Sequence, residues 1–349
     1  MNTIYRKTDP DNIDMSVISE AGQIIRSGGL VAFPTETVYG LGADALNPVS
    51  SAKIYEAKGR PSDNPLIVHI AETSAMYEIA SDVPPEAEIL AKKYWPGPLT
   101  MIFPAKATVP KETTGGLDTV AVRFPSHPVA KALIAASGGF VAAPSANLSG
   151  RPSPTTGEHV RQDMDGRIDM IIDSGYCNIG IESTIIDFSA HVPMILRPGY
   201  VSEEKLCEAI GAVEKDPAVF GEDTSAQPKA PGMKYRHYAP KGKLSIVSGS
   251  RPDVISYIRK QIECRPEGVR IGVMTFTEDA VQFSGADLVA DMGDPENEGR
   301  AASLLYDTLR RCDDEELDLI FSEEFDNGQL GPAIMNRLIR AAGHNIINV

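Results

Sequence analysis

Phe33-Pro-Thr-Glu-Thr-Val-Tyr-Gly-Leu-Gly42 is the stretch around which this chain is organised, and it continues an apolar run that begins at Leu30. Because the run is short and follows Gly28-Gly29, the sequence predicts a buried strand that comes after the end of a helix. Pro34 ends this strand, since a proline nitrogen has no hydrogen to donate to a sheet. The hydroxyls and the carboxylate that come next are expected either to face a ligand or to cap the following helix.

The glycines of this stretch match a loose dinucleotide-binding pattern, Gly40-x-Gly42-x-x-Ala45. Such a pattern binds a dinucleotide only where a strand runs directly into the first glycine and a helix starts there. No strand is predicted to run directly into Gly40, and Asn47-Pro48 interrupts the required helix. We therefore do not expect a dinucleotide site here.

Composition and charge limit the class of protein. The chain has 349 residues, 42% of them hydrophobic, which is ordinary for a globular protein with two domains. A formal net charge of −15 argues against a nucleic-acid backbone as the main partner, because that affinity comes from clustered Lys and Arg. The four cysteines lie far apart and predict neither a zinc site nor a disulfide framework. No signal peptide or membrane span is apparent, so a cytoplasmic location without a membrane partner is expected.

The order of elements predicts two α/β domains. Helix and strand patterns alternate up to residue 210, whereas residues 211–243 are rich in proline, show little apolar periodicity and are typical of a linker. From residue 244 onward strands and helices alternate at a spacing typical of a small doubly wound domain with a parallel sheet.

A loop rich in cations follows the helix predicted over residues 50–58. Lys58, Arg60 and Ser62 alternate with Gly59 and Pro61, which keep the backbone out of a helix. Two cations beside a hydroxyl suit phosphate oxygens, and Arg can bind them through two parallel hydrogen bonds. The alternative is that Lys58 only favours a helix C-terminus that Gly59 caps.

Further polar residues fall at the ends of predicted strands. Arg123 and Arg197 each end a strand, and each is expected to be an edge charge or an anion clamp. Ser145 follows a second strand that exits through a proline, and Ser183 lies in a third hydroxyl-rich segment. His69 lies inside a strand, where a histidine is more often part of the core than a ligand group.

The linker ends in a segment that mixes cations with aromatic side chains, Pro231-Gly-Met-Lys-Tyr-Arg-His-Tyr-Ala-Pro240. This composition suits docking on an anionic or aromatic ligand. A solvated basic tether between the domains is the alternative.

Five motifs together resemble one known family. They are Phe33-Pro-Thr-Glu-Thr-Val-Tyr-Gly-Leu-Gly42, Lys58-Gly-Arg-Pro-Ser-Asp-Asn-Pro-Leu66, Ala143-Pro-Ser-Ala-Asn147, Ile181-Glu-Ser-Thr184 and the linker segment 231–240. The chain resembles the Sua5/YrdC/YwlC family, the threonylcarbamoyl-AMP synthases, over essentially its whole length. The resemblance implies a YrdC-like catalytic domain with a twisted mixed α/β sheet over residues 1–210. It also implies a linker or lid over 211–243 and a smaller Rossmann-like Sua5 domain over 244–349.

The resemblance implies a nucleotidyltransferase that converts L-threonine, bicarbonate and ATP into threonylcarbamoyl-AMP and pyrophosphate. The product would supply the threonylcarbamoyl group of N6-threonylcarbamoyladenosine at position 37 of tRNA. A separate tRNA threonylcarbamoyl transferase complex would take over the product, so direct tRNA binding is expected to be weak or absent, in keeping with the acidic composition.

The resemblance also implies which residues serve each substrate. The catalytic residues would be Lys58, Arg60 and Arg197. The L-threonine site would comprise Thr35, His69, Arg123, Ala143 and Ser183, with Arg123 as partner of the carboxylate. The ATP site would comprise Lys58, Ser62, Thr119, Ser145, Ser153, Arg197 and a linker residue, Tyr235 or His237. No Asp/His cluster suggests a metal cage, so Mg²⁺ is expected to be carried by the ATP phosphates.

Two other functions compete with this interpretation. One is an RNA-binding module of translation without catalysis, which the net charge disfavours. The other is a transferase that uses carbamoyl phosphate, which would show no dependence on threonine.

Overall fold

The structure is a computed structural model that describes residues 2–217 and 238–349. These residues form two compact units, and each is described by itself. The first unit comprises the described residues up to 149 and from 153 to 217. The second comprises residues 150–152 and 238–349.

The first unit is a mixed α/β structure, as predicted. Its strands are β1 Ile4–Lys7, β2 Val31–Phe33, β3 Gly40–Asp44, β4 Ile67–Ile70, β5 Leu99–Pro104, β6 Thr119–Arg123, β7 Phe140–Ala142, β8 Met170–Asp173, β9 Thr184–Asp187, β10 Met194–Arg197 and β11 Glu214–Lys215. Its helices are α1 Met15–Arg26, α2 Pro48–Lys58, α3 Met76–Ile79, α4 Pro85–Tyr94, α5 Lys111–Thr114, α6 Pro128–Ala136, α7 Gly157–Met164 and α8 Glu203–Ile210, with a 3₁₀ turn at Thr73–Ala75.

The strands form one sheet in the order β1-β8-β2-β3-β7-β4-β6-β5-β9-β10-β11, with parallel and antiparallel pairs. β3 lies between β2 and β7 and pairs antiparallel with both, so the ends of β2 and β7 meet at the same edge. A bridge pairs Gly40, which lies opposite Phe33 at the end of β2, with Ser145, three residues after the end of β7. The two hydroxyl-rich strand exits noted in the sequence therefore do lie at one edge, although the strands themselves are not neighbours.

Helix α1 shows how the sequence places an element against this sheet. Asp14 caps its first turn by accepting a hydrogen bond from the backbone N–H of Ser16. The buried face of α1 packs on β2 and α6 in one apolar cluster that includes Ile18, Ile25 and Phe33. A Cβ on Gly22 would lie 2.8 Å from the carbonyl oxygen of Ala136, so only glycine allows α1 to approach α6 this closely.

Strand β3 differs from the expectation for the central stretch. After Pro34 the sequence predicted only polar groups that face a ligand or cap a helix, whereas residues 40–44 form a strand that pairs with β2 on one side and β7 on the other. A Cβ on Gly42 would lie 2.9 Å from both Phe33 Cε1 and Val141 Cγ1. The glycines are therefore required by the close packing of a buried strand, which sequence propensity does not indicate.

The second unit contains a parallel sheet, also as predicted. Its strands are β12 Lys243–Ser248, β13 Ile271–Thr275, β14 Leu288–Asp291, β15 Leu319–Ser322 and β16 Ile346–Asn348, and its helices are α9 Arg251–Glu263, α10 Glu298–Asp314 and α11 Gly331–Ala342, with a 3₁₀ turn at Ala280–Phe283. The strand order is β14-β13-β15-β12-β16, and all four pairings are parallel. In neither described range does a helix combine the length and the apolarity needed to cross a membrane.

Candidate functional site

Arg123 lies at the centre of the candidate site, at the last position of β6. Its side chain is almost fully buried, and Nη2 donates hydrogen bonds to Glu36 Oε1 at 2.8 Å and to Thr37 Oγ1 at 2.9 Å. Its Nε is buried and has no hydrogen-bond partner among the residues that the structure describes. Because an unpaired buried N–H costs about 1–3 kcal/mol, this guanidinium would gain from an added acceptor such as a carboxylate.

The loop after β2 supplies the partners of Arg123. Glu36 also accepts a hydrogen bond from the backbone N–H of Ser126 at 3.2 Å. The Thr35 hydroxyl donates to Val38 O at 2.6 Å and accepts from the backbone N–H groups of Thr37 and Val38, so it holds the loop in shape. Of the two alternatives for this loop, local capping describes the Thr35 hydroxyl, whereas Glu36 and Thr37 face Arg123.

His69 lies beside Arg123, since the two residues are register partners on β4 and β6. Its Nδ1 is 3.1 Å from Ile67 O, and its ring contacts the Phe33 ring edge-on at 6.2 Å between centroids. Burial, together with the Arg123 charge, lowers the pKa of His69 to about 3. The imidazole is therefore neutral at physiological pH and adds no charge next to Arg123.

On the other side of Arg123, a row of buried polar groups continues across the sheet. Thr100 on β5 is the register partner of Arg123, and its hydroxyl lies 2.7 Å from the Ser183 hydroxyl. Arg197, at the end of β10, donates through Nε and Nη2 to Ser183 O at 3.1 and 3.0 Å, and through Nη2 to Ser183 Oγ at 3.2 Å. The structure thus brings together three residues that are far apart in the sequence, Arg123, Ser183 and Arg197.

An apolar cluster lies beside this row. It consists of Ile67, Ile102, Ala121, Ile185 and Leu196. Side chains two positions apart on a strand lie on the same face of the sheet. Ile67 therefore shares a face with His69, Ala121 with Arg123, and Ile102 with Thr100. The polar row therefore lies beside a cluster of buried apolar side chains, and a few polar groups among apolar ones are the usual composition of a small-molecule site.

Lys58 forms a second polar group with the end of β7. Its Nζ donates to the carbonyl oxygens of Ser145 and Asn147, and the Ser145 hydroxyl donates to Asn147 Oδ1. Lys58 is 3% exposed and Arg197 is 5% exposed. Lys58 does end α2, and Gly59 caps the helix in the left-handed conformation, as the alternative predicted; in addition, the Lys58 ammonium group is buried against backbone carbonyls.

Three further candidates of the first unit, Arg60, Ser62 and Thr119, lie on the loop after α2 and at the start of β6. Arg60 Nη2 donates to the carbonyls of Asn64 and Pro65, both at 3.1 Å, and so holds its own loop, on which Ser62 is exposed. Thr119 begins β6, four residues from Arg123, a separation of about 13 Å along the strand. A ligand that contacts both Thr119 and Arg123 must be long.

Two candidates lie close to the polar row. Ser153 is fully buried, and its hydroxyl donates to Glu182 Oε1 at 2.6 Å, next to Ser183. Ala143 is buried at the end of β7, and its N–H donates to Ile67 O. Tyr235 and His237, and most of the segment 231–240, lie outside the described residues.

From the sequence, no particular substrate was assigned to several residues of this arrangement. They are Glu36, Thr37, Thr100, Asn147 and Glu182. Glu36 and Thr37 stand in the central stretch and Glu182 precedes Ser183, so their motifs were visible. Thr100 carries no local signal, because its position follows only from the register of β5 with β6.

The acidic residues of the site do not form a metal cage. In the part of the chain that the structure describes, no group of three or more His, Cys, Asp or Glu side chains is arranged to hold a metal ion. Glu36 binds Arg123 and Ser126, and Glu182 binds Ser153. Both carboxylates are thus engaged by donors of the protein itself.

Comparison with known proteins finds relatives of this chain over nearly its whole length. Residues 23–199 match the family model of Sua5, YciO and YrdC, described as "Telomere recombination", and residues 201–343 match the model described as "Threonylcarbamoyl-AMP synthase, C-terminal domain". The chain is 47% identical over 340 residues to a threonylcarbamoyl-AMP synthase of Pyrococcus abyssi, covering 97% of this chain and 98% of that protein. It is 46% identical over 341 residues to a threonylcarbamoyl-AMP synthase of Bacillus subtilis, covering 97% of each.

A solved structure agrees with these matches. The crystal structure of P. abyssi Sua5 complexed with L-threonine is similar with a TM-score of 0.93 at 46% identity, and the match covers 99% of this chain and 100% of that one. The resemblance inferred from the five motifs is thereby confirmed. The chain belongs to the Sua5/YciO/YrdC family, in the form that carries the C-terminal domain of threonylcarbamoyl-AMP synthases.

Proposed function

We propose that this protein is an L-threonylcarbamoyladenylate synthase. In the reaction, the amine of L-threonine combines with bicarbonate to give a carbamate and water. The carbamate oxygen then attacks the α-phosphorus of ATP, and pyrophosphate leaves. The relatives named threonylcarbamoyl-AMP synthase, which match nearly the whole chain at 46–47% identity, support this activity.

The observation that carries the substrate assignment is the unpaired Nε of the buried Arg123. A threonine carboxylate at this position would satisfy the guanidinium and bring a negative charge to a buried cation. The Ser183 hydroxyl is held in place by hydrogen bonds with Thr100 and Arg197, and it would form a hydrogen bond with the threonine hydroxyl. His69 and Ala143 would form neutral walls, and the loop held in shape by Thr35 would close the pocket.

ATP would bind along the edge that holds the second polar group. Lys58 and Arg197 provide the cations that stabilise charge on phosphate oxygens, and Arg60 stands on the adjoining loop. The nucleotide would also contact Ser62, Thr119, Ser145 and Ser153, with Tyr235 and His237 completing the set. Thr119 and Arg123 are about 13 Å apart on β6, so the nucleotide and threonine would contact opposite ends of this strand.

Mg²⁺ would be carried by the ATP phosphates, where it supplies positive charge to the leaving pyrophosphate. Lys58, Arg197 and the hydroxyls of Ser145 and Ser153 would orient the triphosphate around it. The threonylcarbamoyl group would then pass to adenosine 37 of tRNA through a separate transferase complex. The net charge of −15 is consistent with weak or absent direct binding of tRNA.

The test is pyrophosphate release by the purified full chain with ATP, L-threonine and bicarbonate, and with each left out in turn. We expect release to require all three substrates. Release that does not depend on threonine would indicate a different transferase, and no release together with tight tRNA binding would support the RNA-binding module instead. Either outcome would overturn the proposal.

A separate variant tests whether Arg123 binds the threonine carboxylate. Arg123→Gln should raise the KM for threonine much more than the KM for ATP, because the proposed carboxylate contact is lost. Arg161→Gln is a matched control, since Arg161 forms an exposed ion pair with Glu158 on α7. If Arg123→Gln kept the threonine KM of the control, Arg123 would not bind threonine.

A further inference from the structure

A cavity in the second unit lies at the carboxyl ends of its parallel strands. The connection after β12 leads through α9 to β13, and the connection after β15 leads through α11 to β16, on the other side of β12. Since such crossovers are right-handed, the two connections leave the neighbouring strands toward opposite faces of the sheet. Ligands of doubly wound folds bind in the crevice that this divergence opens. Here the crevice holds a cavity of about 290 Å³.

The charges that line this cavity are unequal. Arg251 binds Asp279 through Nη2 at 2.7 Å and Nε at 2.8 Å, and it also reaches Glu278 at 3.2 Å. Three more carboxylates line the cavity, those of Glu323, Glu324 and Asp326, and they form no ion pair with any residue in the described ranges. The cavity therefore repels phosphates and other anions and attracts cations.

Glu323 is the residue that points to a ligand. It is 5% exposed, and its Oε2 accepts hydrogen bonds from the Thr275 hydroxyl at 2.8 Å and from the Phe276 N–H at 2.9 Å. Its Oε1 accepts no hydrogen bond from the residues that the structure describes, although the residue lines the cavity. Burial raises the pKa of this carboxyl above its ordinary value, so a cation beside Oε1 would stabilise the ionised form.

The wall next to Glu323 is aromatic. Phe276 lines the cavity, and the ring of Phe325 holds it in an edge-on contact with 4.8 Å between centroids. An aromatic face next to carboxylates favours an organic cation, because the ring attracts both the charge and the attached alkyl groups. These carboxylates do not form one of the three-residue groups expected for a metal ion, none of which occurs in the described ranges.

We propose that this cavity binds a small organic cation, an ammonium or guanidinium compound, whose N–H groups donate to Glu323 Oε1 and whose alkyl part packs on Phe276. Glu324 and Asp326 provide the remaining negative charge at the opening. The cation comes either from a free amine or from an arginine side chain of a peptide, and the chemistry of recognition is the same in both cases.

The test is a calorimetric titration of the full chain with agmatine, which carries both an ammonium and a guanidinium group. Succinate serves as the anionic probe, AMP as the nucleotide probe and acetyl-Gly-Arg-Gly-amide as the peptide probe. We expect agmatine to bind and succinate and AMP not to bind at this cavity. Tighter binding of the peptide than of agmatine would also support the proposal, and it would identify an arginine side chain of a protein segment as the source of the cation.

Two variants locate the binding. Glu323→Gln keeps the shape of the side chain and should weaken agmatine binding about tenfold or more, since a hydrogen bond to a charged group is lost. Glu324→Gln should weaken binding less and covers the case in which Glu323→Gln unfolds. Glu267→Gln, on the exposed loop before β13 at the opposite end of the sheet, is the control. Equal binding by all three variants, or no binding of agmatine or peptide to the unsubstituted chain, would overturn the proposal.

Discussion

Glu36 Oε1 lies 2.8 Å from Arg123 Nη2, and the two side chains are only 11% and 5% exposed. Removing one partner of a buried ion pair leaves the other charge uncompensated. Glu36→Gln should therefore lower the free energy of unfolding by about 3 kcal/mol. Urea unfolding measures this change.

A matched control for this pair is Glu20→Gln, because Glu20 pairs with Arg6 at 3.0 Å on the surface. An exposed pair contributes less than about 1 kcal/mol, so this variant should unfold almost as the unsubstituted chain does. Equal small effects of both substitutions would mean that Glu36 does not compensate a buried charge.

The buried His69 predicts a pH dependence of stability. Burial lowers its pKa to about 3, whereas the imidazole of the unfolded chain titrates near its ordinary value of about 6.5. Below pH 6.5 the unfolded state binds a proton that the folded state does not. The contribution of His69 to the free energy of unfolding is therefore fully present above pH 6.5, and it is lost as the pH falls from 6.5 toward 3.

Urea unfolding at pH 7 and pH 5 tests this linkage in the unsubstituted chain and in His69→Asn. Between these pH values the unsubstituted chain should lose about 2 kcal/mol more than the variant. In an NMR titration, the His69 ring signal should not shift between pH 8 and pH 5. A midpoint near 6.5 for this signal would contradict the buried neutral imidazole.

Thr100 is expected to position Ser183 without touching the substrate. Thr100→Val keeps the shape of the buried side chain but removes the hydroxyl 2.7 Å from Ser183 Oγ. The KM for threonine should rise about fivefold to tenfold, the effect of one lost hydrogen bond, while the KM for ATP stays within about twofold. Thr108→Val, on the surface, should change neither value. Equal effects on both substrates would indicate a general loss of structure instead.

Lys58 should contribute to folding as well as to catalysis. Lys58→Met keeps the apolar stem but leaves the carbonyls of Ser145 and Asn147 without this donor, so the free energy of unfolding should fall by about 2 kcal/mol. Lys92→Met, in the exposed last turn of α4, should change it by less than about 0.5 kcal/mol. If Lys58→Met lost activity but unfolded at the same urea concentration as the unsubstituted chain, Lys58 would act only on the ATP phosphates and not on folding.

Much of the fold could be predicted from local patterns. The helix predicted over residues 50–58 is observed as Pro48–Lys58, and the strand predicted before Pro34 is observed as Val31–Phe33, because apolar runs and caps are local signals. Strand β3 was missed because its glycines carry no strand propensity and are explained only by neighbours from β2 and β7.

The candidate site was predictable in its residue types but not in its arrangement. Arg123, Ser183 and Arg197 were marked by their places at strand ends. Their proximity depends on the order β6-β5-β9-β10 and on register, which are long-range properties. The burial of Lys58 was missed for the same reason, since Ser145 and Asn147 lie almost 90 residues further along the chain.

Mass spectrometry of the adenylate formed from ¹³C-bicarbonate tests the central claim most directly. With ATP, L-threonine and labelled bicarbonate, the full chain should produce an AMP conjugate that contains both threonine and the ¹³C label, and Arg123→Gln should produce far less of it at low threonine. An AMP conjugate that lacks the label, or threonyl-AMP without a carbamoyl group, would contradict the account.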